Sequence, residues 1–252
     1  MSAAASARTA DRIDAAEVAR FDALAREWWD EKGPMRPLHQ INPVRLAFLR
    51  EHICAHFDRD PARLNALDGL TVLDIGCGGG LLSEPMARMG ARVTGVEPAG
   101  NNLAVARAHA VEQGLEIEYL DCLAEDLAAQ GRSFDVVLAM EVIEHVPDVQ
   151  AFIDTAAALV RPGGFFGGST LNRTKRSFAL AIIGAEYLLR WLPVGTHRWE
   201  KFVRPDEFSD SLRTAGLIPH DPRGLVYNPL SDRWSLAPDT AVNYFITAEK
   251  AR

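Results

Sequence analysis

Cysteine is scarce. The 252 residues hold three, Cys54, Cys77 and Cys122, and no C-x-x-C pair. So sparse and odd a set excludes a disulfide framework or a cysteine-rich zinc site and suits a reducing compartment. Each of the three reads as a small, half-buried hydrophobe. An excess of positive charge is lacking too: Lys+Arg 27 against Asp+Glu 34 leaves a net charge of -7. That balance argues against nucleic acid as a partner, because such binders need a basic face to displace phosphate counterions. No apolar run reaches the roughly 18 residues of a membrane-spanning helix. The first ten residues are rich in Ala and Ser and contain no apolar stretch of the secretory type. They are expected to be a frayed cytoplasmic N-terminus. Internal repeats and low-complexity linkers are missing as well.

What is present is an ordinary globular composition, 48% hydrophobic and 24% charged, at a length suited to one domain or at most two. Glu17 to Trp29 places Val18, Phe21, Leu24, Ala25, Trp28 and Trp29 near a helical period, and Lys32-Gly33-Pro34 ends it. Pro37 to Ile41 reads as a connector. Asn42 then reads as the cap of a helix with Pro43 at its first position, running through Val44, Phe48, Leu49 and Ile53. From Leu70 the pattern alternates. Short β-rich runs fall at Thr71–Ile75, Arg92–Val96, Glu116–Leu120, Phe134–Ala139 and Phe165–Ser169, and helical stretches at Leu81–Met89, Asn101–Gln113 and Val149–Val160, with a turn near Glu125. Such alternation predicts an α/β, doubly wound, mostly parallel sheet with the ligand site along the strand C-termini. Thr240 to Thr247 reads as a last, antiparallel strand.

The strongest local signal is Val72-Leu73-Asp74-Ile75-Gly76-Cys77-Gly78-Gly79-Gly80, a buried strand running into glycines ahead of a helix. Glycines are needed where the backbone turns tightly and a ligand comes close. The dinucleotide fingerprint G-x-G-x-x-G fails here, because its third glycine falls on Leu81. That speaks against a nicotinamide-dependent oxidoreductase. The next strand ends in Glu97, where a carboxylate can accept both hydroxyls of a ribose.

These segments, with V-E-P, F-D-V-V-L-A-M-E-V-I-E-H-V and L-V-R-P-G-G, resemble the successive motifs of the class I S-adenosylmethionine-dependent methyltransferases. The resemblance implies a Rossmann-like class I fold with a seven-stranded sheet and helices on both faces. Asp74 then helps hold the loop or the cofactor amino group, Gly76 and Gly78 carry the methionine end, and Glu97 binds ribose. An acid between Asp121 and Glu125 faces the adenine. Beyond that core, F-D-A-L-A-R-E-W-W, P-L-H-Q-I-N-P-V-R, S-T-L-N-R, G-A-E-Y and G-T-H together resemble the ubiquinone-biosynthesis O-methyltransferases, which methylate hydroxyls of polyprenylated catechol-type rings. This implies that Arg45 reaches the cofactor carboxylate and that Met140 lies against the cofactor. Glu97 stands where Asp is usual and Gln40 where Arg is commoner. Residues 1–69 read as an N-terminal helical extension and 70–252 as the methyltransferase domain. Another small-molecule methyltransferase, or a non-catalytic scaffold, is the competing reading.

A free phenol ionises near pH 10, so the reaction needs help in removing a proton. Glu141-Val142-Ile143-Glu144-His145, just after the fourth strand, is the candidate catalytic set. Three readings stay open: Glu141, Glu144 and His145 as ligands of magnesium acting as a Lewis acid; His145 as general base; or a capping and salt-bridging segment. Finally, Phe178 to Leu192 is apolar on nearly every face and follows Arg173, Lys175 and Arg176. An insertion over about 172–204 is therefore expected to cover the substrate and dip into lipid, or to be an ordinary lid helix. His197, Trp199 and Lys201 are candidates to line the ring pocket. The resulting expectation is a cytoplasmic enzyme held peripherally at the inner face of the membrane, with other ubiquinone-biosynthesis proteins as further partners.

Overall fold

A computed structural model describes residues 18–19, 22, 25–180, 198–228 and 230–252. Its centre is one mixed sheet. Strands β1 (Thr71–Ile75), β2 (Arg92–Val96), β3 (Glu118–Leu120), β4 (Phe134–Met140) and β5 (Val160–Leu171) run parallel in the order β3-β2-β1-β4-β5. Beyond β5 the sheet turns antiparallel through β9 (Asn243–Lys250), β7 (Arg223–Asn228) and β8 (Arg233–Ala237), while β6 (Leu217–Pro219) pairs with β9. Chain order reverses between β1 and β4, which places a crevice at the C-terminal ends of those strands. There Asp74 lies level with Gly95 of β2 and Leu138 of β4.

Strand alternation splits the core between two faces. Val72, Val136, Leu138, Phe165 and Phe245 point to one side, packed under α1 (Arg36–His56) through Phe48, Leu49 and Ile53, with α2 (Ser83–Arg88) adding Met86. Leu73, Val137, Phe166, Tyr244 and Ile246 point to the other, under α4 (Ala124–Ala129), α5 (Val149–Leu159) and α6 (Pro205–Thr214). Helix α3 (Gly100–Glu112) packs Leu103 and Ala106 against Tyr119. The α/β architecture with helices on both faces is thus as expected, and β1 and β2 have the predicted bounds.

The N-terminal reading needs correction. Pro37 to Ile41 is no connector, and Asn42 caps nothing: α1 begins six residues earlier, with Pro37 in its first turn and Pro43 inside it. An internal proline costs about 3 kcal/mol. Burying Ile41, Phe48, Leu49 and Ile53 along one face outweighs it. Asn42 instead donates from Nδ2 to the Leu81 carbonyl at 2.8 Å. The sheet also has nine strands rather than seven. The added pairing comes from β6, a three-residue strand ending in Pro219, and from the largely exposed β8. Neither carries the buried, β-branched pattern that marks a strand in sequence. Of the helix expected over Glu17 to Trp29, Val18, Ala19 and Asp22 are helical, Ala25–Glu27 forms a short 3-10 turn, and Phe21 and Leu24 lie outside the described residues.

Helix α1 belongs to the same core as the sheet. Phe48 and Phe245 stack with ring centroids 5.0 Å apart, and both are fully buried. Phe245→Ala is expected to lower the unfolding free energy by about 3–5 kcal/mol, measured by urea denaturation. A loss under 1 kcal/mol contradicts the shared core.

Candidate active site

The glycine loop leaves the end of β1 and is fastened to β2: the Gly76 and Cys77 N–H groups donate to the Val96 carbonyl at 2.8 and 3.1 Å. Gly76 and Gly78 both have left-handed backbone, with φ of 70° and 53°. A Cβ on Gly76 would lie 2.6 Å from Val142 Cγ2, and one on Gly78 would run into the Trp28 ring. Both conformation and space therefore demand glycine. Glu97, at the end of β2, accepts from Gly78 N–H at 3.1 Å and Ala99 N–H at 3.0 Å, so the acid is tied directly to the loop. Burial raises its carboxyl to about 7 against these two bonds. Asp74 accepts from Ser83 Oγ at 2.6 Å, and burial raises it to about 6.

Arg45 comes to the same edge from α1 and is buried. Its guanidinium lies 3.7 Å from Glu141 Oε1, yet Nε and Nη2 make no hydrogen bond. Burial pushes its pKa down, while Glu141, Asp74 and Glu144 act against that. Glu141 has a left-handed φ of 56°, rare and costly for a residue with a side chain. Ser169 holds it there: the Glu141 N–H donates to the Ser169 carbonyl at 3.1 Å, and Ser169 Oγ donates to Glu141 Oε1 at 2.7 Å. Glu144 is buried in a 3-10 turn, Ile143–His145, and accepts from Thr170 Oγ1 at 2.7 Å; its Oε1 has no hydrogen-bond partner. Burial, and next the negative charge of Glu141, push the Glu144 carboxyl up.

Arg45, Asp74, Glu141 and Glu144 are thus gathered into one buried cluster, and Gly76, Gly78 and Glu97 into the adjoining loop. His145 sits half-buried at the end of the turn. Met140 ends β4, but its side chain turns into the α1-side core beside Gly167. Among the described residues no three His, Cys, Asp or Glu side chains already converge closely enough to hold a metal. His197 lies outside the described residues, whereas Trp199 packs near Leu171 and donates to the Thr174 carbonyl at 2.9 Å. The residues that fix the site, Ser83, Ser169 and Thr170, carry no chemical signature of their own in sequence. An open groove of about 880 Å³ lies at the opposite edge, at the N-terminal ends of β1, β2 and β4, lined by Thr71, Arg92 and Phe134 among others. It contains none of these groups.

The raised carboxyls make stability depend on pH. Folded values of about 6 for Asp74 and about 7 for Glu97 exceed the unfolded ones, so the folded state retains protons that the unfolded chain releases. Their contribution is complete near pH 4 and is lost as pH rises through 6 to 7. Between pH 5 and pH 8 Glu97 alone accounts for a loss on the order of 2 to 3 kcal/mol. Urea denaturation at the two pH values is expected to show a smaller fall for Glu97→Gln than for the parent. Equal falls contradict the assignment.

Known proteins match this chain closely. A methyltransferase domain family model matches residues 73–167. A ubiquinone biosynthesis O-methyltransferase of Methylobacterium sp. (strain 4-46) is 59% identical over 97% of this chain and 98% of its own. One from Chelativorans sp. (strain BNC1) is 56% identical over 94% of each. Among solved structures, magnesium protoporphyrin IX methyltransferase from Synechocystis PCC 6803, with bound S-adenosylhomocysteine, gives a TM-score of 0.64 at 21% identity, over 92% of this chain and 95% of that one. A methyltransferase of Thermotoga maritima gives 0.61 at 17% identity, over 93% and 99%. At those identities they establish the fold, while the curated relatives establish more: the chain belongs to the ubiquinone-biosynthesis O-methyltransferases, a family of class I S-adenosylmethionine-dependent enzymes.

Proposed function

We propose that this chain binds S-adenosylmethionine along the C-terminal edge of β1, β2 and β4 and methylates a phenolic hydroxyl of a polyprenylated ring held beside Glu141, Glu144 and His145. The observation that carries the cofactor half is Arg45: a buried guanidinium with two nitrogens that make no hydrogen bond has room for an anion. The amino-acid carboxylate of the cofactor is such an anion. Glu97 then accepts from the ribose diol, Asp74 holds the loop and the amino group, and Gly76 and Gly78 admit the methionine end. Met140, whose side chain packs into the α1-side core, would meet the cofactor only through its backbone at the end of β4. Residues 1–69 are the arm that delivers Arg45, and 70–252 the domain that it serves.

When bound, S-adenosylmethionine supplies a methyl group on a positively charged sulfur, a good leaving group. The chain must therefore align the two partners and favour the phenolate. Two carboxylates close together, with Glu144 Oε1 lacking a hydrogen-bond partner, suit a hard divalent cation, and the imidazole of His145, next in sequence, would have to turn toward them to complete the donor set. Glu141, Glu144 and His145 would hold magnesium, whose charge favours loss of the phenolic proton. His145, half-buried at the mouth, is the group placed to take that proton when no metal helps.

The cover over the substrate expected for 172–204 falls mostly outside the described residues, and its described start supports contact with lipid. Phe178 and Leu180 are 43% and 52% exposed beside exposed Lys175 and Arg176, while 181–197 lie outside the described residues. Among the described residues no helix is long and apolar enough to cross a membrane. In this reading the exposed Phe178 and Leu180 hold the enzyme peripherally on the inner face, beside other ubiquinone-biosynthesis proteins.

Methyl transfer from labelled S-adenosylmethionine to a detergent-dispersed polyprenyl catechol is expected with magnesium and lost with EDTA. Equal product in EDTA assigns the proton to His145 alone. In either case His145→Gln is expected to reduce kcat by about 10²–10⁴-fold while S-adenosylhomocysteine binds as before. Full activity of that variant contradicts the catalytic assignment.

A further inference from the structure

The two adjacent tryptophans of the N-terminal arm do more than fill space. The Trp28 ring lies directly against Gly78 and Gly79, so closely that a Cβ on either glycine would overlap it. Its indole Nε1–H donates to Asn102 Oδ1 at 2.8 Å, and Asn102, on α3 just beyond Glu97, is 0% exposed. Because an indole N–H only donates, this bond fixes which way the Asn102 amide faces. The Asn102 Nδ2 donor is left buried and without a hydrogen-bond partner. Trp29 grips the same turn from its other side: its Nε1–H donates to the Gly79 carbonyl at 3.1 Å. That ring stacks on His109 at 3.5 Å between centroids, and His109 Nδ1 lies 2.6 Å from the buried carboxylate of Glu84. The arm is fastened at two more points, since Asp22 accepts from the Asn101 N–H at 2.8 Å and His39 Nε2 lies 2.8 Å from the Trp28 carbonyl.

The turn thus clamped is the one whose Gly78 N–H binds Glu97. Without the indoles, Gly78, with its left-handed φ of 53°, and Gly79 would lose the rings packed directly against them. We propose that Trp28 and Trp29, with Asn102, are positioning residues of the cofactor site: a clamp that sets the shape of the glycine turn and so the affinity for the cofactor. This rests on the cofactor reading above. Nothing in the clamp approaches Glu141, Glu144 or His145 through a hydrogen bond, so its effect belongs to cofactor binding and not to the transfer step.

The test is calorimetric titration of S-adenosylhomocysteine into the full chain and into Trp28→Phe, Trp29→Phe, Asn102→Ala and the Trp28→Phe/Asn102→Ala double variant. Trp29→Phe keeps the ring stack and loses one hydrogen bond, for which about a fivefold weakening is expected. Trp28→Phe leaves a buried amide oxygen unpaired and is expected to weaken binding about tenfold. The double variant is expected to match the weaker of its two parents, because one bond is lost in both. Steady-state kinetics should show a raised KM for S-adenosylmethionine with kcat within twofold, a split that general loss of folding does not produce. Phenylalanine variants that melt cooperatively and bind as tightly as the parent overturn the clamp and leave the cofactor reading intact. Failure of the parent to bind S-adenosylhomocysteine overturns both.

Discussion

One guanidinium organises the catalytic edge. Arg45 is the cation at the centre of a set made of buried Asp74 and Glu144 and half-buried Glu141. Removing any of these charges from water is costly; the carboxylates support the charge on Arg45, while Glu141 and Glu144 repel one another. The balance is incomplete. Two guanidinium nitrogens and one Glu144 oxygen make no hydrogen bond, and burial pushes the Asp74 and Glu144 carboxyls upward. A protein that only needed stability would do better with apolar side chains there. Retaining a half-satisfied polar cluster at the crevice of a doubly wound sheet is what a binding site for a charged ligand requires.

The fold explains why the cluster forms where it does. Helix α1 is buried along the face of the sheet through Phe48, Leu49 and Ile53, and in its N-terminal half Asn42 bonds the Leu81 carbonyl beyond the glycine loop while Arg45 meets Glu141 after β4. Strain is concentrated at the same place. Glu141 is held in left-handed backbone by Ser169, a residue that β5 brings level with Met140. Hydrogen bonds from neighbouring strands stabilise a turn that Glu141 would not adopt alone.

Much of this was legible in the residues, and what was not had physical reasons. β1 and β2 are buried parallel strands, whose runs of Val, Leu and Ile bounded by glycine leave little choice of limits. The glycine loop and Glu97 could be read because turn and acid lie at the ends of consecutive strands. Helix α1 was misread because Asn42-Pro43 is a good helix start locally, and the tertiary burial that overrides it involves strands far along the chain. β6 to β8 escaped because β6 is a mere three residues and β8 is mostly exposed. Ser83, Ser169, Thr170 and Asn102 act through partners distant in sequence, and a hydroxyl or amide gives no hint of such a partner. Trp28 and Trp29 did stand out, but as one face of a helix; that they meet the loop depends on how the arm folds back.

The central claim is that Arg45 awaits the carboxylate of the cofactor's amino-acid end. It is tested most directly by comparing S-adenosylhomocysteine with 5′-methylthioadenosine, which shares the nucleoside and lacks that carboxylate, on the parent and on Arg45→Met. The account predicts that Arg45→Met weakens S-adenosylhomocysteine by about thirtyfold or more, while methylthioadenosine binds both proteins alike. Equal losses for the two ligands, or none for either, would contradict it.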